Sequence, residues 1–173
     1  MMLNQETIDM IRALQDKYPE RRSALIPALH VAQAQVGYLP VEVQQEVAAL
    51  FEIDTSEVNA VVTFYDMFFE EPVGKHLIHV CKNVSCMLRG SDELLGALCH
   101  KLGVKPYEIS ADGNFTIIPS ECLGACDRAP MMLVDDQVVG PVQEGQLEEI
   151  LQQAKAKRGH PCPILMNEAS AHE

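Results

Sequence analysis

Tryptophan is absent from this 173-residue chain and aromatic residues reach only 5%, so any core must be filled by aliphatic side chains and eight methionines. Basic residues are scarce too: 13 Lys and Arg against 25 Asp and Glu leave a formal net charge of -12. Nucleic-acid binding draws on Lys and Arg that displace counterions from phosphate, so this balance excludes nucleic acid as a partner. No apolar run approaches the roughly 18 residues of a membrane-spanning helix, which excludes direct membrane insertion. The opening stretch, MMLNQETIDMIRALQDKYPERR, has acidic residues early and no apolar core with a cleavage site, so it does not read as a signal peptide. Internal repeats and low-complexity tracts are missing. So is the G-x-G-x-x-G fingerprint, and no NADH site is expected on this chain.

Cysteine is the residue present in informative number. A chain read as residing in a reducing cytosol has no use for six cysteines as a disulfide framework, and metal or redox ligation is the alternative. Apolar residues at 47% and charged residues at 22% are otherwise those of an ordinary soluble protein.

Residues 1–72 read as helical. Ile8, Ile11 and Leu14 make one stripe, and Leu25, Leu29, Ala32 and Val36 a second that ends at Gly37. VEVQQEVAALF gives a third helix, and Asp54, Thr55 or Ser56 caps a fourth. These stripes describe a small bundle or docking arm with core packing as their purpose. From residue 73 to 158 the pattern changes. An apolar run, LIHV, ends at Cys81, and the polar loop KNVSCMLRG follows it. Residues 91–102 then read as a helix with Ser91 as its cap and Gly103 as its stop. YEIS-ADG-NFTIIP and MMLV-DDQ-VVGP read as two hairpins, and QEGQLEEILQQAKAKRG as a last helix with Leu147, Ile150 and Leu151 inward. The fold class is α+β: a helical bundle or arm, then a short mixed sheet flanked by helices that resembles a thioredoxin-like arrangement. Residues 159–173 read as a loose or partner-bound tail.

Cys81 and Cys86 form Cys-x4-Cys after a strand, and Cys122 and Cys126 form Cys-x3-Cys after another. If the two strands run the same way, both loops emerge at one edge of the sheet and converge. Four thiolates suit Zn²⁺ or an iron–sulfur cluster, since soft ligands select both. Spacing leaves the two open and favours the cluster, whose two irons each need a pair of cysteines on a wider loop. Gly124 and Ala125, and Leu88–Gly90 in the other loop, are expected to bring backbone N–H groups to sulfur. A thiol oxidoreductase is disfavoured because no Cys-x-x-Cys exists.

HVCKNVSCMLRGSDELL followed by ECLGACDRAPMMLVDD closely resembles the thioredoxin-like [2Fe–2S] ferredoxin subunit of the NADH-dehydrogenase module of respiratory complex I. RRSALIPALHVAQAQVGYLP and VNAVVTFYDMFFEEPVGKH resemble the N-terminal signatures of the same family, so the likeness spans about residues 8–155. The resemblance implies that Cys81, Cys86, Cys122 and Cys126 ligate one [2Fe–2S] cluster. It implies a flavoprotein partner that holds FMN and NADH and exchanges an electron with the cluster. It also implies a cytoplasmic location, peripheral to the inner face of the membrane through the complex. Related subunits serve NAD-linked formate dehydrogenases and hydrogenases. A structural zinc-binding interaction module is the alternative from another class.

The remaining residues of interest have plainer readings. Cys99 is read as a buried packing thiol and Cys162 as a spare thiol in the tail. His79 shares a strand face with Cys81 and raises the two-Cys, two-His possibility, but four cysteines make it a strand residue or outer hydrogen-bond donor. Met87, Met131 and Met132 are expected to shield the site from water. Pro130 stands where thioredoxin-like folds often carry a cis proline, yet a base rate of about 5–6% favours trans.

Overall fold

The structure, a computed structural model, describes residues 2–157 and 159. The tail beyond, with Cys162, lies outside the described residues. The described chain forms two compact units, one running to Pro72 and one beginning at Val73.

The first unit is helical throughout. Helix α1 (Gln5–Asp16) starts where Asn4 Oδ1 accepts the Thr7 N–H at 2.8 Å, and α2 (Leu25–Val36) continues a 3₁₀ turn over Arg21–Ala24. Helix α3 (Val41–Phe51) follows Pro40, and α4 (Thr55–Phe64) follows Asp54, whose carboxylate accepts the Ser56 N–H at 2.8 Å. Of the three capping candidates before α4, the one with an oxygen free to reach back is therefore Asp54. The expected stripes meet in one core: Ile8, Ile11, Leu29, Ala32, Val43, Val47, Val58 and Val62 are all buried, while Leu14 and Val36 lie at its margin. Periodicity could not show the buried glutamines that tie the helices to their loops. Gln33 donates to Met67 O at 2.9 Å and accepts the Phe69 N–H at 2.9 Å, and Gln44 donates to Leu39 O at 2.8 Å.

Gly37 ends α2 with φ 94°, a left-handed conformation in which its N–H bonds back to Gln33 O at 2.7 Å. An L side chain there meets its own carbonyl. Gly37→Ala should lower the stability of this unit by about 1–2 kcal/mol, seen as a lower urea midpoint at unchanged slope.

The second unit holds a four-stranded mixed sheet of order β2-β1-β3-β4. Strand β1 (His76–Cys81) pairs in parallel with β2 (Phe115–Ser120), in register from His76–Phe115 to Cys81–Ser120. Parallel neighbours need a crossover, and the short helix α5 (Val84–Met87) with α6 (Ser91–Leu102) supplies it. On the other side β1 pairs antiparallel with β3 (Met132–Val134), which turns into β4 (Gln137–Val139). The last helix, α7 (Leu147–Lys155), brings Leu147, Leu151 and Ala154 into a core with Ile78, Val80, Leu94, Leu98, Phe115 and Ile117. The architecture is α+β, with the hairpin at residues 132–139 where the turn residues indicated it.

Three local expectations need correction. Gly90, at φ 92°, is the cap of α6, and Ser91 is its first residue, fully buried. The polar loop after Cys81 contains α5, capped by Asn83. The first hairpin is reduced to a single bridge, Ile109–Thr116, because Tyr107 takes φ 70° and ends any extended run before it.

Candidate metal centre

Cys81 is the last residue of β1, held between two neighbours. Its N–H donates to Met131 O at 3.3 Å, and the next amide, of Lys82, donates to Ser120 O at 2.8 Å. The ladder therefore runs to the end of both parallel strands before the chains diverge into loops. Cys122 follows β2 by two residues, so the loop carrying Cys81 and Cys86 and the loop carrying Cys122 and Cys126 leave the same sheet edge. Asn83 Nδ2 bridges them, donating to Glu121 Oε2 at 3.3 Å.

The two pairs differ in exposure. Cys81 and Cys86 are 2% and 1% exposed and pack with Ala129 and Met131 in a small cluster of their own, with Leu123 and Ala125 against it. Cys122 and Cys126 are solvent-exposed, their sulfurs 3.8 Å apart. A central strand ends in Cys81, and α5 turns Cys86 inward. The second pair instead sits on a short 3₁₀ loop beyond the outer strand β2, where nothing in this unit covers it.

Burial, hydrogen bonds and neighbouring thiols together set the electrostatics. Burial pushes the Cys81 thiol up, but N–H groups of Leu123 and Asn83 point at it and hold it below the ordinary thiol range. Burial also raises Cys86; the Met131 N–H opposes this and the adjacent Cys81 adds to it. Cys126 is raised by its partner Cys122, while the Ser85 hydroxyl works in the other direction. The amides that reach sulfur are thus those of Leu123, Asn83 and Met131, in place of the expected Gly124 and Ala125. Gly124 supplies the turn between Cys122 and Cys126 with φ 80°. The amides of Leu88, Arg89 and Gly90 are taken by carbonyls of α5.

Only Cys81 is held below the ordinary thiol range; Cys86, first by burial, and Cys126, first by Cys122, lie above it. Four soft donors in two pairs, with backbone N–H groups lowering the Cys81 thiol, fit an iron–sulfur group. Among the described residues no three His, Cys, Asp or Glu side chains converge on a single metal-ion position. Paired sulfurs suit two bridged irons better than one tetrahedral Zn²⁺.

Other candidates fall away from the centre. Cys99 is half-buried against the sheet core, its thiol pushed up first by burial and then by Glu108, as suits a packing residue. His79 is half-buried and shares a hydrogen bond with Ser120 Oγ at 2.9 Å. Of the methionines, Met131 is buried beside Cys81 and Cys86 as expected. Met87 is 49% exposed, however, and Met132 belongs to the sheet core. The Ala129–Pro130 peptide is cis, against the trans form the base rate favours, and Gly140–Pro141 is cis as well. Sequence reasoning missed Asn83, Ser85 and Glu121. Only Asn83 carries a signal, as a capping residue before a short apolar run.

Comparison with known proteins gives a consistent picture. The family model for thioredoxin-like [2Fe-2S] ferredoxin matches residues 11–155. The E 2 subunit of NADH-quinone oxidoreductase from Rhizobium meliloti (strain 1021) is 42% identical over 146 residues, 84% of this chain and 87% of the relative. NADP-reducing hydrogenase subunit HndA of Solidesulfovibrio fructosivorans is 37% identical over 149 residues, 86% and 85% of the two chains. Among solved structures, an NAD+-reducing [NiFe]-hydrogenase in the H2-reduced state aligns with TM-score 0.65 at 24% identity. That alignment covers 77% of this chain and 22% of the hydrogenase chain, and it shows the likeness of fold. Because the family match takes in both cysteine loops, the sheet that brings them together and most of the helical unit, the chain belongs to the thioredoxin-like [2Fe–2S] ferredoxin family, and its cofactor is one [2Fe–2S] cluster.

Proposed function

We propose that Cys81, Cys86, Cys122 and Cys126 hold the cluster and that the chain is the electron-transfer subunit of an NADH:quinone oxidoreductase. The observation that carries the ligand set is the in-register parallel pairing of β1 with β2, from which both cysteine loops depart. Relatives named as E subunits of NADH-quinone oxidoreductase, with 87% of the first one's length matched, support the choice of assembly. When bound, the cluster supplies one-electron capacity beside a two-electron flavin.

The chain's own residues then have distinct tasks. Cys81 and Cys86, packed with Ala129 and Met131, keep water from one side of the site. Cys122 and Cys126, being exposed, form the side that a redox partner can approach. That partner is a flavoprotein subunit carrying FMN and NADH. The division of the chain into a helical segment (1–72), a ferredoxin domain (73–158) and a tail (159–173) fits this assignment. No helix among the described residues is long and apolar enough to cross a membrane, which fits a cytoplasmic subunit held at the inner face through its complex. The HndA relative supports one same-family alternative, a hydrogenase assembly.

Reduction by NADH tests the reading. The isolated chain, loaded with its cluster, should keep its visible spectrum under anaerobic NADH and bleach once the co-purifying FMN-binding subunit is added. Bleaching of the isolated chain by NADH would contradict the division of labour.

A further inference from the structure

Phenylalanine is scarce in this chain, with five residues in 173, and four of them are covered: Phe51, Phe68 and Phe115 are buried and Phe69 is half-buried. Phe64, the last residue of α4, is 78% exposed, and Met67 is 38% exposed. The Phe64 ring stands on a fixed platform. It packs edge-on against Tyr65, with centroids 4.9 Å apart at 83°, and Tyr65 packs the same way on Phe68 at 6.4 Å and 82°. Phe68 in turn lies 4.8 Å from the ring of His30 on α2. Gln33 pins the backbone beneath by donating to Met67 O and accepting the Phe69 N–H, and the Leu39 N–H donates to Phe69 O at 2.6 Å. An aromatic side chain held in place beforehand gives up little conformational freedom when a partner covers it.

The surroundings carry one sign of charge. Between Arg22 and Lys75 the chain has eight Asp and Glu and no Lys or Arg. Asp66, Glu70 and Glu71 lie within the seven residues after Phe64, and Glu57 lies seven residues before it on the same side of α4. Asn59 Nδ2 donates to Glu70 Oε1 at 3.2 Å and holds that carboxylate beside α4, while Glu57 pairs with Arg22. A second copy of the chain would set these carboxylates against their own kind, on top of a net charge of -12 on each copy. An anionic lipid surface is repelled for the same reason. An exposed ring flanked by carboxylates fits an apolar socket rimmed by Lys and Arg.

We infer that Phe64, with Met67 beside it, anchors the helical unit in an apolar, Lys- and Arg-rimmed socket on the flavoprotein partner. The inference rests on the proposed function for the identity of that partner. Its surface belongs to the helical unit, whereas the cysteine loops belong to the other unit.

The test is the affinity of the cluster-loaded full chain for the co-purifying FMN-binding subunit, with association and dissociation followed at low and high salt. Phe64→Ala should bind about 10–100-fold more weakly, mainly through faster dissociation. Its urea midpoint and iron content should not change, because Phe64 lies outside the buried core of its unit. Phe64→Leu keeps apolar bulk and should recover part of the loss. Asp66→Asn combined with Glu71→Gln should slow association at low salt and match wild type at high salt. Unchanged affinity in Phe64→Ala overturns the inference alone, and a salt response identical to wild type in the doubly neutralised chain overturns the basic rim. A dimer of the isolated chain that Phe64→Ala makes monomeric also overturns it, since the occupant is then a second copy. A wild-type chain that does not bind the FMN-binding subunit overturns the proposed partner and the inference with it, an outcome seen before any variant is compared.

Discussion

Cys122→Ser should abolish or strongly perturb the visible spectrum of the anaerobically purified protein, with bound iron falling from about two atoms per chain toward none. Serine offers a harder oxygen in place of the soft sulfur that selects iron–sulfur chemistry, and its hydroxyl resists deprotonation at neutral pH. Cys122 has a close neighbour in Cys126, 3.8 Å away; on the proposed ligand set the two would act as a pair, and the substitution would leave that pair with a single thiolate. The same substitution at Cys81 or Cys86 should be at least as severe. Both are buried, and a hydroxyl would replace the sulfur that now accepts N–H groups from Leu123, Asn83 or Met131. The control is Cys99→Ser. That thiol packs against the sheet core from α6, outside the small cluster formed by Cys81, Cys86, Ala129 and Met131, so the spectrum should not change. If Cys99→Ser also loses the cluster, the ligand set is wrong.

Phe115→Ala should destabilise the second unit by about 3–5 kcal/mol, the usual cost of emptying a fully buried aromatic site. Phe115 is the first residue of β2 and is wholly inaccessible. Its ring lies 5.5 Å from that of His76, its partner across the parallel ladder, and the Lys155 ammonium stands 5.6 Å from its centroid. Its backbone is pinned from both sides by Ser110, whose hydroxyl accepts the Phe115 N–H at 2.8 Å and whose N–H reaches Phe115 O at 2.8 Å. Gly74 passes so close that a Cβ there would lie 2.5 Å from the Phe115 carbonyl carbon. With neighbours fixed on these sides the cavity cannot close, which places the cost toward the upper end of the range. A domain of this size has only about 5–15 kcal/mol in total, so the loss is a large part of its stability. Phe115→Leu keeps most of the volume and should recover most of the difference. Since β2 delivers Cys122, the visible band should be lost at the same, lowered temperature as the second unit's share of the far-UV circular dichroism. A band that survives unfolding would show that the cluster does not depend on this sheet.

Much of this could be read from the residues. Helix α3 begins and ends where the apolar stripe of VEVQQEVAALF does, and Gly37 and Gly103 terminate helices as their positions suggest, because caps and periodicity are local. The convergence of the cysteine loops followed from the assumption of parallel strands, which the β1–β2 pairing bears out. What escaped was non-local. Whether Cys122 is exposed while Cys81 is buried depends on which strand is central, and sequence order alone does not give the order β2-β1-β3-β4. Two of the three amides that act on sulfur, those of Leu123 and Met131, also come from beyond the Cys81–Cys86 loop, so spacing within one motif pointed to Gly124 and Ala125 instead. Ser110, reaching back to Phe115 over an abortive hairpin, was hidden for the same reason.

The central claim is that two cysteine loops at one sheet edge hold a single binuclear cluster. The most direct test is iron and acid-labile sulfide analysis, with the absorption spectrum, of anaerobically purified wild-type chain. About two irons and two sulfides per chain, in a red-brown sample that bleaches with dithionite, are predicted. A colourless protein holding one zinc would contradict it.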